Sequence, residues 1–163
     1  MTKRELKEII KECMDELLLE ESSNLKFYDI NDKSISNIVE SDSFCSKHIK
    51  YIRNNTGEVV VDTSLNKIAG VIFVGKNTDK GFISTLEVKP SYRRLGLGKK
   101  LLKDAINKYN AVDLVVFRSN KIAIDLYLKA GFVVIEKIIK DNKPAYWMKL
   151  KSKLSKNEHP INI

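Results

Sequence analysis

Leu86-Glu87-Val88-Lys89-Pro90-Ser91-Tyr92-Arg93-Arg94-Leu95-Gly96-Leu97-Gly98-Lys99-Lys100-Leu101-Leu102 is the stretch on which the reading of the whole chain turns. An apolar strand runs into a proline turn, then into a basic loop punctuated by two glycines, then into a helix. Gly96 and Gly98 carry no Cβ, so the backbone there can take positive φ and approach a bulky group closely. The helix that follows opens with N–H groups lacking intrahelical acceptors, and these face the same spot. Such a loop is an anion site, and phosphate is the usual anion. It is not a Walker loop, because Gly-x-x-x-x-Gly-Lys-Ser/Thr is absent, and it is not a dinucleotide fingerprint, because Leu101 occupies the third glycine position.

Outward from the loop, Leu101, Leu102, Ala105, Ile106 and Tyr109 form a helical stripe, and Asp113 to Phe117 reads as a strand. Ser119 or Asn120 caps a further helix that Gly131 stops at the C′ position. Phe132 to Ile139 and Ala145 to Leu150 form a final strand pair. Upstream, Glu58 to Asp62, Lys67 to Gly75 and Gly81 to Val88 are β-rich runs joined by short polar turns, which predicts an antiparallel meander. Leu25 to Ile30 is a further strand, and Asn31-Asp32 leads into a helical stretch through Glu40. A short helix is expected around Lys47 to Arg53, then a turn at Asn54 to Gly57. The pattern gives a mixed α/β (α+β) fold, a largely antiparallel sheet with helices on both faces. At the start, Leu6, Ile9, Ile10, Cys13, Met14, Leu17 and Leu18 mark one face of an amphipathic helix from Thr2 to Glu21, which either packs on the domain or meets a second copy in a homodimer. Packing on the domain is the commoner arrangement for such a helix.

The chain has 163 residues, 43% of them hydrophobic, enough for one domain with a single core. No run approaches the ~20 apolar residues of a membrane span, and the N-terminus lacks the apolar core of a signal peptide. A soluble, cytoplasmic protein is the expectation. With only Cys13 and Cys45, no disulfide framework is expected, and His48 and His159 have no cysteine at metal spacing, so no metal site is expected either. The net charge is +8, with several lysines in a C-terminal stretch (Lys149, Lys151, Lys153, Lys156) that reads as a fraying basic tail. A basic balance suits an anionic ligand, but no nucleic-acid motif accompanies it.

Arg93-Arg94-Leu95-Gly96-Leu97-Gly98 resembles the acetyl-CoA loop, Arg/Gln-x-x-Gly-x-Gly/Ala, of the GCN5-related N-acetyltransferase (GNAT) superfamily. Asn120-Lys121-Ile122-Ala123-Ile124-Asp125-Leu126-Tyr127-Leu128-Lys129-Ala130-Gly131-Phe132 resembles the same superfamily's Asn-x-x-Ala-x-x-x-Tyr-x-x-x-Gly-Phe helix. The likeness covers roughly residues 25–150. It divides the chain into an N-terminal helix (1–24), an acetyltransferase-like domain (25–150) and a tail (151–163).

The resemblance implies an acetyl-CoA-dependent N-acetyltransferase that uses no metal. In it the N–H groups of Arg94, Leu95, Gly96, Leu97, Gly98 and Lys99 cradle the coenzyme A pyrophosphate, with charge from Arg93, Arg94 and Lys99. Lys100 and Lys103 read as plain helix surface. The strands on either side of the loop helix splay apart, and the pantetheine arm slots between them along Leu86, Glu87 and Val88, where a main-chain N–H polarises the thioester carbonyl. Asn120 binds the arm, Ala123 leaves room for it, and Tyr127 is the general acid that protonates the departing thiolate. Glu87 is the candidate base, acting directly or through water. Some members carry a glutamate on the following strand, where this chain has Leu114-Val115-Val116-Phe117. Neither cysteine lies in a matched motif, which favours direct transfer over an acyl-cysteine.

The acceptor is a primary amine of a small molecule, peptide or protein. It would be selected by residues 29–56 and the last strand pair, whose Lys47, Lys50, Arg53, Lys137 and Lys140 point toward an anionic acceptor. Two alternatives stand beside this reading. One is a non-catalytic coenzyme A sensor. The other is an acetyltransferase acting on an RNA-linked amine, which the charge of +8 would suit.

Overall fold

The computed structural model describes residues 2–21, 24–52, 56–77 and 80–163. Among these residues, seven strands form one sheet: β1 (Leu25–Asp29), β2 (Thr56–Asp62), β3 (Lys67–Asn77), β4 (Lys80–Val88), β5 (Ala111–Phe117), β6 (Phe132–Lys140) and β7 (Lys143–Leu150). Their order across the sheet is β1-β2-β3-β4-β5-β7-β6. Every pairing is antiparallel except β4 with β5. Five α-helices accompany them: α1 (Lys3–Glu21), α2 (Ser36–Ser41), α3 (Ser43–Ile52), α4 (Leu97–Tyr109) and α5 (Lys121–Lys129). The expected mixed sheet, with the meander β2–β3–β4 leading to the loop, is what forms.

Alternation along the central strands divides the core in two, because successive side chains point to opposite faces. On one face, Val60, Ile72 and Val74 join Ile83, Leu114 and Met148 beneath Leu97, Leu101 and Ala105 of α4 and Ile124 and Tyr127 of α5. On the other, Val59, Val61, Val71 and Phe73 pack with Ile35, Val39 of α2 and Cys45 of α3. The two faces therefore carry different helices, and whatever lies between β4 and β5 communicates with both.

Local chemistry explains the departures from the expected element limits. The helical stretch after Asp32 is a single 3-10 turn (Lys33–Ile35) running into α2, and Asp32 caps it by accepting from the Ser34 N–H (2.8 Å). Instead of a short helix at 47–53, α3 begins at Ser43, because Asp42 Oδ1 accepts from the N–H groups of Phe44 (3.0 Å) and Cys45 (2.9 Å). The β3–β4 ladder runs on to Asn77 and Lys80, beyond the expected ends, and residues 78 and 79 lie outside the described residues, as do 54 and 55 of the expected turn. The β6–β7 turn has only two residues, Asp141 (φ 50°) and Asn142 (φ 59°), the left-handed pair that matches the twist of a hairpin, so Pro144 belongs to β7.

Both ends of the chain differ from expectation. The last residues do not fray. Glu158 pairs with Lys149 and accepts from the Ser155 N–H (2.9 Å), while the Ile161 N–H donates to the Val134 carbonyl (2.8 Å), strapping the terminus along the outer edge of β6. At the other end α1 forms, with the Thr2 hydroxyl accepting from the Glu5 N–H and the Glu5 carboxylate accepting from the Thr2 N–H, a capping box. The described part of its stripe is not buried on the domain. Leu6, Ile9, Ile10 and Met14 are each more than 40% exposed.

Candidate active site

The loop after β4 is shaped as its sequence suggests. A proline turn (Pro90–Tyr92) closes with the Tyr92 N–H on the Lys89 carbonyl (2.9 Å), and the Tyr92 hydroxyl donates to Asp62 Oδ2 (2.9 Å), pinning the turn to the end of β2. Arg94 (φ 65°) and Gly96 (φ 77°) are both left-handed, which turns successive N–H groups into one concavity. For Gly96 that backbone costs nothing extra, whereas an L side chain there would cost about 1 kcal/mol or more. The first helical bond is donated by Lys100 to the Gly96 carbonyl (3.0 Å), so the N–H groups of Leu97 and Gly98 have no intrahelical acceptor, and no side chain caps them. The positive end of the α4 dipole adds to their pull on an anion.

Beside the loop the sheet opens. β4 pairs with β5 only at Gly81, Phe82 and Ile83, while β5 continues to Phe117 against β7. The divergence begins where β4 carries a bulge against β3: Ile83 opposes Val74 and Thr85 opposes Phe73, leaving Ser84 extra. A bulge bends its strand and strengthens its twist, and the Ser84 hydroxyl secures this one by donating to the Phe73 carbonyl (3.2 Å). From Ser84 to Val88 the β4 edge turned toward β5 has no partner strand, so a notch opens between the two.

A Cβ placed on Gly98 would lie 3.6 Å from Val88 Cγ2 and 3.7 Å from Leu126 Cδ2. These are ordinary contacts, so protein packing alone does not demand glycine here. The same distances show that the end of β4, the start of α4 and the middle of α5 converge at one point. Tyr127 follows Leu126 on α5, is 7% exposed, and stacks obliquely on Phe132 with ring centres 5.9 Å apart. Its hydroxyl has no hydrogen-bond partner among the described residues. Burial pushes its pKa up to about 12, so it stays protonated at any physiological pH. At the head of α5, Asn120 Oδ1 accepts from the Ala123 N–H (3.2 Å), which makes it the cap. No hydrogen bond from its amide nitrogen occurs among the described residues.

Glu87 occupies the opposite face. Its cross-strand neighbour Val71 belongs to the α2–α3 side of the core, and its carboxylate lies 3.5 Å from Lys89 Nζ. The same ammonium is 3.6 Å from Asp42 Oδ1 and sits 5.0 Å above the Phe44 ring. Two carboxylates thus share one lysine beside the notch. This pairing was not legible in the sequence, where Asp42 is forty-odd residues away; its only local signal is the capping pattern ahead of α3. Of the basic residues expected to line an acceptor pocket, Lys47, Lys137 and Lys140 are exposed, the Lys50 side chain is not described, and Arg53 lies outside the described residues.

Other basic residues are placed more definitely. The Arg93 Nε donates to the Val88 carbonyl (3.0 Å), tying the loop to the strand end and committing that guanidinium to structure. Lys100 pairs with Asp104 (3.4 Å) and covers the Phe27 ring, as a surface lysine does. Lys103, by contrast, joins Lys11, Lys99 and Lys129 along a groove of about 520 Å³ between α1, α4 and α5. The Cys45 thiol is not suited to carry an acyl group. Cys45 is fully buried, with its pKa pushed up to about 12, chiefly by burial, and Cys13 lies exposed on α1. No group of three or more metal-ligating side chains occurs among the described residues.

The sequence profile of the acetyltransferase (GNAT) family matches residues 6–132, a span that takes in the loop, the notch and the Asn120 helix. The chain belongs to that family. Among curated proteins, the GNAT relatives include the N-terminal acetyltransferase B complex catalytic subunit NAA20 of Arabidopsis thaliana, 36% identical over 66 residues. That match spans 37% of this chain and 38% of the relative. Among solved structures, the ribosomal-protein-S18-alanine N-acetyltransferase of Escherichia coli superposes with a TM-score of 0.59 at 18% identity, over 83% of this chain and 99% of that one. A Bacillus subtilis acetyltransferase in complex with CoA superposes with a TM-score of 0.55 at 19% identity, over 78% of this chain and 97% of that one. These likenesses establish the GNAT fold. No helix among the described residues is long and apolar enough to cross a membrane.

Proposed function

We propose that the protein is an acetyl-CoA-dependent N-acetyltransferase whose acceptor is the free amino terminus of a peptide or protein. The observation that carries this reading is the notch that opens after Ile83, bounded by the uncapped first turn of α4 on one side and the Tyr127 helix on the other. It offers an unpaired strand edge to a ligand that can hydrogen-bond like a strand, ending at a cradle for a pyrophosphate. Coenzyme A has that shape and supplies the activated acetyl group.

In this reading the N–H groups of Leu97 and Gly98, within the concavity from Arg94 to Lys99, hold the pyrophosphate. The groove lined by Lys99, Lys103 and Lys129 offers charge to the remaining phosphate. Leu86, Glu87 and Val88 flank the pantetheine arm, the Asn120 amide nitrogen donates to it, and Ala123 leaves it space. Tyr127, held protonated, gives its proton to the leaving thiolate. The acceptor amine enters from the opposite face, where the Asp42–Lys89–Glu87 set lies. Two carboxylates against one ammonium favour a cationic amine, and Glu87 receives the amine's proton directly or through water. A peptide amino terminus suits that site because its pKa is near 8, low enough to deprotonate at neutral pH. The resemblance to the NAA20 subunit supports the same choice. Transfer is direct, since the buried Cys45 thiol is not available as a nucleophile.

The test is release of the coenzyme A thiol on incubating the protein with acetyl-CoA and a set of amines: peptides with free and blocked amino termini, polyamines, and lysine side chains. Turnover confined to free amino termini is expected. Turnover only with small amines would overturn the acceptor. Tight coenzyme A binding without turnover on any amine would overturn the enzyme in favour of a sensor.

A further inference from the structure

The groove between α1, α4 and α5 has a volume of about 520 Å³, within the range of about 300–1,000 Å³ that small-molecule sites occupy. Lys99 and Lys103 line it from α4, Lys129 from α5 and Lys11 from α1. Ile106, Leu126 and Ala130 give it an apolar floor. Residues 99 and 103 are one helical turn apart, so their side chains stand side by side on the same face. Lys129 is held by Asp125 (2.9 Å), and Glu8, which also lines the groove, is drawn to Arg4 (3.6 Å). Lys11 has no ion-pair partner among the described residues. Cations facing one another across a groove repel, and an anion placed between them converts that repulsion into attraction.

The groove is continuous with the phosphate cradle. Lys99 belongs to the cradle through its N–H and to the groove through its side chain. Leu126, on the α5 side of the groove, has its Cδ2 3.7 Å from the point a Cβ on Gly98 would occupy. A ligand whose pyrophosphate fills the cradle therefore leaves it toward these lysines. The nucleotide end of coenzyme A has the matching chemistry. Its flat purine suits the apolar floor, and its 3′-phosphate monoester carries a charge of about −1.5 to −2 at neutral pH.

We propose that α1 is the third wall of a subsite for the 3′-phosphorylated adenosine of coenzyme A, with Lys11 meeting the 3′-phosphate from across the groove. The subsite exists only if coenzyme A is the ligand of the cradle, as proposed above, and it makes the protein prefer coenzyme A to its 3′-dephospho form. It also accounts for the way α1 is turned. Glu8 and Lys11 are three residues apart and share a face, and that polar face is the one presented to the domain. A helix that merely packed there would turn Leu6, Ile9 and Ile10 inward, yet all three are exposed.

The experiment is calorimetric titration of the full chain with coenzyme A and, separately, with 3′-dephospho-coenzyme A. The parent is expected to bind coenzyme A about tenfold more tightly than the dephospho form. Lys11→Met should cut that preference to about twofold by weakening coenzyme A alone. Lys11→Arg should retain it. Lys3→Met removes the same charge from the same helix about 12 Å away, beyond the screening length of about 8 Å at physiological salt, and should retain it too. Equal binding of the two forms by the parent overturns the subsite, and so does a preference that survives Lys11→Met; either result leaves the donor reading standing. A preference lost equally in Lys3→Met also overturns it, in favour of a diffuse basic field. A parent that binds neither form overturns the donor reading itself, and the subsite with it.

Discussion

The Arg93 guanidinium donates through Nε to the Val88 carbonyl across 3.0 Å, joining the phosphate-binding loop to the last residue of β4. The bond spans the point where the strand edge ends and the cradle begins, so it sets the distance between two halves of one ligand site. A solvent-exposed hydrogen bond of this kind is worth about 1 kcal/mol. Arg93→Ala is expected to weaken coenzyme A binding by about fivefold while leaving turnover at saturating acetyl-CoA near the parent value. Calorimetry and the separate measurement of KM and kcat check this. A fall in kcat with unchanged affinity would refute it.

Gly96 and Gly98 are expected to behave differently, although both belong to the same motif. Gly96 is at φ 77°, where a β-branched residue is strained, and Gly96→Val should abolish measurable coenzyme A binding. A Cβ at Gly98 meets its neighbours at 3.6 and 3.7 Å, so Gly98→Ala should fold with the parent melting temperature and retain binding within about tenfold. Thermal melts and calorimetry on the two variants separate backbone strain from ligand clearance.

Tyr127→Phe should keep the Phe132 contact and the fold, and should leave coenzyme A affinity within about twofold. Its kcat should drop by about a hundredfold, the usual size of a general-acid contribution. The parent has its Tyr127 pKa raised to about 12 by burial, so loss of the phenolic proton should not depress kcat until the pH approaches that value. A parent-like rate in the variant would remove Tyr127 from the chemistry.

Glu87→Gln should lower kcat/KM for the amine about a hundredfold, because it removes the group that takes the amine's proton. Lys89→Met tests the surroundings rather than the base. It leaves the Asp42 and Glu87 carboxylates without the ammonium now 3.6 and 3.5 Å away, so kcat/KM for the amine should change while coenzyme A affinity stays near the parent value. A kcat/KM unaltered by both substitutions would mean that solvent takes the proton.

The C-terminal strap carries a pH dependence of its own. Pairing with Lys149 and the bond from the Ser155 N–H lower the Glu158 pKa from 4.5 to about 2. A depressed carboxylate stabilises the folded strap above its unfolded value and loses that contribution as the pH falls through the folded one. Hydrogen exchange at the Ile161 amide, which bonds to Val134, should therefore stay slow at neutral pH, relative to its intrinsic rate, and lose protection between pH 4.5 and 2. Glu158→Gln should lose it at neutral pH.

The parts of the site that one local segment builds were open to reading in the sequence. Loop conformation depends on Gly96 and its neighbours, the α5 cap on Asn120 and Ala123, and the meander on alternation within β2, β3 and β4, all interactions across a few residues. The start of the helix at 43–52 is hidden in the sequence because it depends on one capping carboxylate, Asp42, and not on apolar spacing. The terminal lysines read as a tail because the pairing of Lys149 with Glu158 and the bond of Ile161 to Val134 close only when the chain has turned back along β6.

The sequence by itself determined the family, the donor loop and the strand–loop–helix order, because these rest on backbone chemistry encoded at short range. Tertiary structure alone decided the notch, since its opening needs a bulge at Ser84 that exists only relative to β3. It also decided that Tyr127 and Glu87 stand on opposite faces of one sheet, and that Asp42 shares Lys89 with Glu87. It turned Leu6, Ile9, Ile10 and Met14 of α1 outward. Each of these depends on which distant segments pack against one another, and pairwise burial across the sheet, not local propensity, settles that.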